Sequence, residues 1–162
     1  MPKHLRLLLD ECVSSPRVLE TIRAILAIDP EDHPPQLVFL EDFMGRVGYK
    51  DREWIPAARS EGFDIVLTGD KGRGKRGDKL PEICAVHGLR HLIIRERIIH
   101  RGFRFLLHAI IGAWPHIVEA CAEDGLRYQL QLLTVRGKHE VGTVRVALSR
   151  VRLNPPTTPP AS

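Results

Sequence analysis

Residues 63 to 79 read FDIVLTGDKGRGKRGDK and join a buried strand to a strongly basic loop. The apolar run Ile65-Val66-Leu67 is typical of a strand inside a protein, and Thr68-Gly69 end it. Asp70 stands where the strand meets the loop. Four basic side chains follow between glycines: Lys71, Arg73, Lys75 and Arg76. The stretch predicts a fixed carboxylate beside a flexible cationic loop at one edge of a sheet.

Further strand-like runs alternate with helical patterns on both sides of this stretch. Apolar runs typical of buried strands occur at 5–9, 37–40, 65–68 and 91–94, and helical patterns occur from Pro16 to before Pro30, from 51 to 61 and near 80–86. Ser15 is a predicted N-cap before Pro16, Asp51 is predicted to cap the second helix, and Gly62 to stop it. The order βαβαβαβ implies right-handed crossovers and an α/β fold, with a mostly parallel sheet and helices on both faces.

The C-terminal third adds a long helix and a hairpin. Apolar spacing from Phe103 to about Glu123 predicts one amphipathic helix, bent near Gly112 and Pro115. Alternation at 127–135 and 141–146, around a turn at Arg136-Gly137, predicts an antiparallel hairpin that extends the sheet. We expect one domain over residues 1–152 and a disordered Pro-rich tail over 153–162.

Composition favours a soluble cytoplasmic protein. The chain has 162 residues, 43% of them apolar, which suits a single core. No apolar run was expected to reach the ~20 residues that span a bilayer, and the start MPKHLRLLLDEC does not resemble a signal peptide. The three cysteines, an odd number without a C-x-x-C pair, indicate small buried thiols rather than disulfides or zinc ligands. The net charge of +4 permits an anionic partner.

Acidic residues follow three of the predicted strands. They are Asp10 with Glu11, Glu41 with Asp42, and Asp70, while Asp51 opens a helix that follows the second strand. The carboxyl ends of parallel strands meet at one edge of a sheet, so these side chains are expected to converge there. Clustered carboxylates repel one another unless a cation neutralises them, and ligand sets made only of oxygen favour Mg²⁺ or Mn²⁺. The sequence therefore predicts a metal site that polarises a phosphoryl oxygen, with the basic loop holding a polyanion.

Each candidate also has a purely structural interpretation. Asp10 could begin a turn, Asp51 could serve only as an N-cap, and Asp70 could open a turn with Gly72. The acids expected to lie in solvent or behind the ligands are Glu11, Glu41 and Asp78. The i, i+4 pair His87 and His91 is not expected to bind metal because Gly88 breaks the helix, and no motif ties Cys12 to a catalytic histidine.

The segments that carry these acids resemble the PIN-like nucleases. The similar segments are LLLDEC with SSPRVLETI, VFLEDFMGRVGYKDREWIPAARSEGFDIVLTGDKG, and LPEICAVHGLRHLII, and the likeness covers roughly residues 5–150. It is strongest for the subfamily related to toxins of bacterial toxin–antitoxin pairs. The resemblance implies a PIN-like three-layer sandwich, a metal-dependent endoribonuclease, an antitoxin partner and a homodimer. It implies that Asp10, Asp42, Asp51 and Asp70 are the catalytic acids.

The chain departs from that family at Gly72, where many relatives carry a further acid. Our hypothesis is that Asp10, Asp51 and Asp70, assisted by Asp42, hold Mg²⁺ or Mn²⁺ for RNA hydrolysis. One alternative is a PIN-like module that binds RNA or protein without cutting it. Another is a receiver domain, although Ile94-Arg95-Glu96 lacks the Lys-Pro expected after the last strand. A haloacid-dehalogenase-type phosphatase is disfavoured because the second aspartate is missing from Asp10-Glu11-Cys12.

Overall fold

The computed structural model describes residues 5–10, 13, 16–27, 35–45, 48–69, 79–123, 125–134 and 144–151. The strands in these ranges are β1 (Arg6–Leu9), β2 (Gln36–Phe39), β3 (Ile65–Thr68), β4 (Arg90–Ile94), β5 (Arg127–Thr134) and β6 (Val144–Arg150). The helices are α1 (Pro16–Leu26), α2 (Leu40–Met44), α3 (Asp51–Ser60), α4 (Leu80–Val86), α5 (Glu96–Ile99) and α6 (Phe103–Ala122).

All six strands form one sheet in the order β2-β1-β3-β4-β5-β6. The first five in that order are parallel, and β6 runs antiparallel to β5. This confirms the predicted α/β class and the mostly parallel sheet. It also confirms that the C-terminal strand pair extends the sheet, although β6 continues to Arg150, beyond the predicted 141–146.

The sheet lies between two layers of helices because its inner strands are apolar on both faces. In β1, Leu7 and Leu9 pack in one core cluster and Leu8 in another, as expected for side chains that alternate between two faces. Helices α1 and α6 cover the face of Leu7 and Leu9, which we call the α1 face. Helices α3 and α4 cover the face of Leu8, which we call the α3 face. The predicted helix layers on both faces are therefore confirmed.

The connection through α6 differs in hand from the other crossovers. The chain moves in the same direction across the sheet from β3 to β4 and from β4 to β5. However, α4 packs on the α3 face whereas α6 packs on the α1 face. The two parallel connections therefore have opposite hands, and the one through α6 is the exception to the right-handed rule. As a result, the α3 face of β5 has no covering helix among the described residues.

Local structure after β2 differs from the expectation. The strand stops at Phe39, and Leu40 begins the short helix α2, so Glu41 and Asp42 lie in a helix rather than in a loop. Gly45 ends α2 in the left-handed conformation, at φ 65°. The helix α5 was also missed, because a four-residue helix is too short to show a 3.6-residue period.

The capping prediction at Asp51 is wrong by one residue. Lys50 is the N-cap of α3, and Asp51 is the first helical residue. The carboxylate of Glu53 closes the helix start by accepting the Lys50 backbone N–H, at 3.5 Å. Pro56 lies within the helix as expected, and Gly62, at φ 82°, follows its end.

Helix α6 is more apolar than the sequence analysis expected. By length and composition it could cross a membrane, so the expectation that no segment would reach this limit does not hold. In the structure, 39% of that apolar window is buried within the fold. The inward residues of the helix pack on the α1 face of the sheet, which is also how the core helix of a soluble protein behaves.

The predicted turn at 136–137 and the tail at 153–162 lie outside the described residues.

Truncating Ile65 tests how tightly the centre of this sheet is packed. Ile65 is fully buried, so Ile65→Val should lower the free energy of unfolding by about 1 kcal/mol and Ile65→Ala by roughly 2–5 kcal/mol. Val86 is 82% exposed, and Val86→Ala should change the free energy of unfolding by less than about 0.5 kcal/mol. Urea unfolding of the three variants provides the measurement. Equal effects of the two alanine variants would show that β3 is not a core strand.

Candidate functional site

The strand order has its switch point between the carboxyl ends of β1 and β3, and we call the space outside these two ends the crevice. After β1 the chain moves to β2 on one side, and after β3 it moves to β4 on the other side. Loops diverge from such a point, and ligands of open α/β sheets bind there. The order β2-β1-β3-β4-β5 therefore locates the first place to look for a functional site.

Asp10 lies at this crevice. Its backbone N–H donates to the carbonyl oxygen of Leu67 at 3.0 Å, and its own carbonyl accepts the N–H of Val13 at 2.8 Å. The first bond continues the β1–β3 ladder by one residue, so Asp10 stands beside the end of β3. Its side chain is half-buried. The sequence prediction that an acid after LRLLL lies close to the core is confirmed.

Asp51 comes to the same edge by a different route. Helix α3 leads into β3 and packs on the sheet, so the end at which it starts lies at the carboxyl edge of the strands. The Asp51 carboxylate accepts the indole N–H of Trp54, with Oδ1 and Nε1 3.1 Å apart. Because Trp54 is 1% exposed, this bond ties a half-buried carboxylate to a fixed core side chain.

Asp10 and Asp51 also share a face of the sheet. The alternation along β1 puts residue 10 on the side of Leu8, which is the α3 face. The charge of Asp51 reaches into this layer: burial raises the pKa of the Cys84 thiol above its usual value, and the negative charge of Asp51 raises it further. Cys84 is therefore an inert buried thiol, as predicted, whereas Cys121 is half-buried and Cys12 lies outside the described residues.

Asp42 lies beside α1 instead. It lines an open cleft of about 390 Å³ between α1 and the junction of β2 with α2. The other lining residues are Pro16, Leu19, Glu20, Arg23, Phe39 and Glu41. Asp42 is exposed, and the guanidinium of Arg23 donates to the carbonyl of Leu37 next to this cleft. Asp42 thus shares the carboxyl edge with Asp51 but faces residues of the opposite helix layer.

The remaining predicted site residues lie outside the described residues. These are Asp70, Lys71, Gly72, Arg73, Lys75, Arg76 and Asp78, together with Glu11 and Cys12. Gly69, at the end of β3, is the last residue described before Asp70. Within the described ranges, no three His, Cys, Asp or Glu side chains stand close enough together to hold a metal ion. The predicted metal site requires Asp70 in addition to Asp10 and Asp51, and it stays a prediction.

A buried pair next to the crevice was not predicted. Thr68 Oγ1 and His91 Nε2 lie 2.9 Å apart, and both residues are 0% exposed. Burial and the positive charge of Arg127 lower the pKa of His91 to about 3, so the imidazole is neutral near pH 7. Its Nδ1 atom has no hydrogen-bond partner in the described part of the chain. The signal for it in the sequence is a histidine at the start of the apolar run at 91–94.

Another buried acid lies at the opposite edge of the sheet. Asp64 precedes β3, and its Oδ2 atom accepts the backbone N–H of Arg6 at 3.0 Å. Its environment is structural, because it pairs the start of β1 with the start of β3. An acid next to a buried strand is therefore a site candidate here only when it follows the strand.

No family model, curated protein or solved structure matches this chain. The arrangement of the fold and of the residues at its carboxyl edge is thus the basis for a functional proposal.

The burial of neutral His91 predicts a specific dependence of stability on pH. The folded pKa, about 3, lies below the unfolded value of 6.5, so the unfolded chain binds a proton more readily between these values. The free energy of unfolding should fall as pH decreases from about 6.5 toward 4, by on the order of 1 kcal/mol per pH unit from this group. A series of urea titrations at different pH values provides the measurement.

The matched variant is His91→Gln, which keeps a hydrogen-bonding side chain but does not titrate. It should be less stable than the parent at pH 7 and should lose the part of the pH slope that His91 contributes. His87, an exposed histidine, supplies the control, and His87→Gln should leave the part of the slope that is due to His91 in place. A slope that survives in His91→Gln would assign the effect to other groups.

Proposed function

We propose that this protein is a PIN-like, Mg²⁺- or Mn²⁺-dependent endoribonuclease. Its site is the crevice between the carboxyl ends of β1 and β3. The observation that carries the proposal is the position of Asp10 at this crevice, with Asp51 on the same edge and the same face. Asp10 and Asp51 come to this place from two separate segments of the chain. Binding a shared ligand requires such convergence, whereas an isolated turn or helix cap does not.

The residue types fit a hard divalent cation. Asp10, Asp51 and Asp70 would hold it through carboxylate oxygens, the donors that Mg²⁺ prefers. When bound, such an ion lowers the pKa of water and neutralises the charge that develops on a phosphodiester. The chain itself would orient the Asp51 carboxylate through Trp54 and would hold the end of β3 in place through Thr68 and His91. Asp42, which lies beside α1, has the weaker claim to a catalytic role.

The basic loop that follows Asp70 supports a polyanionic substrate. Lys71, Arg73, Lys75 and Arg76 follow Asp70 directly in the sequence, so substrate phosphates bound by them would be held close to the acids. Acids beside bases are expected where a metal and a phosphate backbone are bound together. RNA is the proposed substrate because of the resemblance to the PIN-like nucleases.

The acidic residues should differ in their importance for cleavage. Asp10→Asn, Asp51→Asn and Asp70→Asn each keep the side-chain size while removing a charge, and each should lower the Mn²⁺-dependent cleavage of a labelled single-stranded RNA by at least about 100-fold. This follows because losing a metal ligand removes several kcal/mol of stabilisation from the transition state. Asp42→Asn should cause a much smaller loss. Single-turnover rates at saturating metal provide the measurement.

Two controls keep this result interpretable. Glu61 is exposed and follows α3 at the other edge of the sheet, so Glu61→Gln removes one carboxylate without touching the crevice. Circular dichroism and urea unfolding of every variant separate lost chemistry from lost folding. Full cleavage by Asp10→Asn and Asp70→Asn would remove the nuclease proposal, and equal loss in Glu61→Gln would make the crevice irrelevant.

The cationic loop should be visible in the salt dependence of RNA binding. Arg76→Ala should reduce the slope of log K against log salt concentration by about 0.7, the contribution of one phosphate contact to single-stranded nucleic acid. Arg59 is an exposed arginine in the last turn of α3, at the opposite edge of the sheet, so Arg59→Ala removes the same charge elsewhere and should leave the slope unchanged. Fluorescence anisotropy with labelled RNA and no added divalent metal gives both slopes. Identical slopes in the two variants would exclude the loop from the binding surface.

The strand order favours one second candidate, a receiver-like signalling domain. The order β2-β1-β3-β4-β5 is shared by flavodoxin-like folds, which include receivers. Three features argue against it: the missing Lys-Pro, the position of α6 on the α1 face, and the basic loop after Asp70. Incubation with a small acyl phosphate tests it. A stable phosphoryl group on Asp70, detected by mass spectrometry, would support the receiver over the nuclease.

The remaining assignments belong to the same proposal. A toxin of a toxin–antitoxin pair would act in the cytoplasm and be held inactive by a cognate antitoxin, and the resemblance to that subfamily implies a homodimer. Gly72, in place of an acid, favours the alternative of a binding module with weak or no activity. In that alternative, RNA binds with the predicted salt dependence, but no metal supports its cleavage.

A further inference from the structure

Helix α6 carries an outward face whose residues are mostly exposed. It is 20 residues long, or about 30 Å, and holds only two permanently charged residues, Arg104 and Glu119. Surface helices normally place charged side chains on the face turned away from the core. Here Phe103 and Val118 are 42% and 39% exposed. The helix is therefore apolar beyond what packing on the sheet requires.

The outward residues form one seam along the helix. Counting from the first, they recur at i, i+4, i+7, i+11 and i+14, a spacing that keeps them on one side of a helix: Arg104, His108, Ile111, Pro115 and Val118. Ile111 is half-buried, and the other four are exposed. The inward residues, such as Ile110, Ala113 and Ile117, pack in the α1-face core. The seam is thus available to a partner, with Ile111 near the middle of the helix.

The glycine in the middle of α6 lies beside open space. Gly112 is exposed, has an ordinary helical conformation, and a Cβ atom added to it would meet nothing within 4 Å. A glycine in a helix interior is destabilising relative to alanine. Close approach of a second backbone would explain its presence, because a side chain at this point would hold the two helices apart.

The charges of α6 are placed against its own dipole. Its first turn has Arg104 and no acid, and its last turn has Glu119 and no base, whereas the dipole favours the reverse at each end. Glu119 also lies 3.2 Å from His116 Nδ1, in an exposed i, i+3 pair on the same helix. Arg104 and Glu119 are equally far from the point between Ile111 and Gly112. If a second copy of α6 packed antiparallel about that point, each Arg104 would face the partner's Glu119. Two Arg–Glu ion pairs would then form, one on each side of an apolar centre.

We propose that the outward face of α6 is the homodimer interface, in which two copies of this helix pack antiparallel about a two-fold axis beside Ile111 and Gly112. The occupant is a second copy because the charge pattern is self-complementary: one patch carries both members of each pair, as an isologous interface requires. The inference gives the expected homodimer a surface and does not depend on the nuclease proposal. The acid variants and the α6 variants can therefore fail separately.

A charge-reversal cycle tests the interface in the full chain. Sedimentation velocity over a wide range of protein concentration should show the parent reaching twice the 18.3 kDa mass of one chain. Arg104→Glu and Glu119→Arg each place two like-charge pairs across the two-fold axis, and each should weaken dimerisation by about tenfold or more. Both changes improve the fit of charge to the helix dipole, so neither variant should be less stably folded.

The double variant Arg104→Glu with Glu119→Arg restores opposite charges across the axis and should recover the dimer. Gly112→Leu should keep the chain folded, because leucine favours helices, and should leave it monomeric. Arg17→Glu makes the same charge change on α1 and should dimerise like the parent. Each of these results overturns the proposal: a parent that is monomeric at every concentration, single variants that dimerise fully, or a double variant that behaves like the singles.

A membrane surface is the other possible occupant of an apolar helix face. Flotation with phosphatidylglycerol vesicles distinguishes the two cases. A dimer that stays with the unbound protein fits the proposal. A monomer that floats with the vesicles through α6 overturns it.

Discussion

The backbone of β1 pairs with β2 on one side and with β3 on the other, and its three leucines are 0–1% exposed. Both edges of β1 are hydrogen-bonded and both of its faces are covered, and the same is true of its neighbour β3. Leu7 and Leu9 pack against one helix layer, and Leu8 packs against the other. When such a strand ends, the next residue must leave the core, and its position is fixed by everything that holds the strand. That residue is Asp10.

The same constraint explains the separation of structural from candidate functional acids. Asp64 and Asp10 both adjoin β1, but at opposite ends. Asp64 accepts a backbone N–H and completes the pairing of β1 with β3. Asp10 lies where the connections diverge and the backbone no longer fills the space. Asp64 and Asp10 carry the same chemical group. Their positions in the topology decide that Asp64, and not Asp10, holds the strands together.

Much of this architecture was visible in the sequence, and the failures have local physical causes. The strand at 65–68 and the helix near 80–86 were predicted where the structure has them, because a continuous apolar run marks the strand and Gly88 follows the helix. The short helices α2 and α5 were missed, since one turn of helix leaves no periodic signal. At the site, the edge that carries Asp10 and Asp51 was predictable from strand ends. The layer in which Asp42 lies was not, because it depends on how α2 folds back beside α1. The Thr68–His91 pair links two strands that are 23 residues apart, and only their register brings these side chains together.

The exceptional hand of the connection through α6 divides the sheet into two unequal parts. Around β1 and β3 the strands lie between two helix layers, whereas β5 is covered by a helix on the α1 face alone in the described part of the chain. Arg127 and Gln129, on its other face, are only half-buried. Amide hydrogens of β5 and β6 should accordingly exchange with solvent earlier than those of β1 and β3, because less apolar surface must be exposed to open them. The protein would thus loosen from its C-terminal edge inward, and the acid-bearing strands would be the last to open.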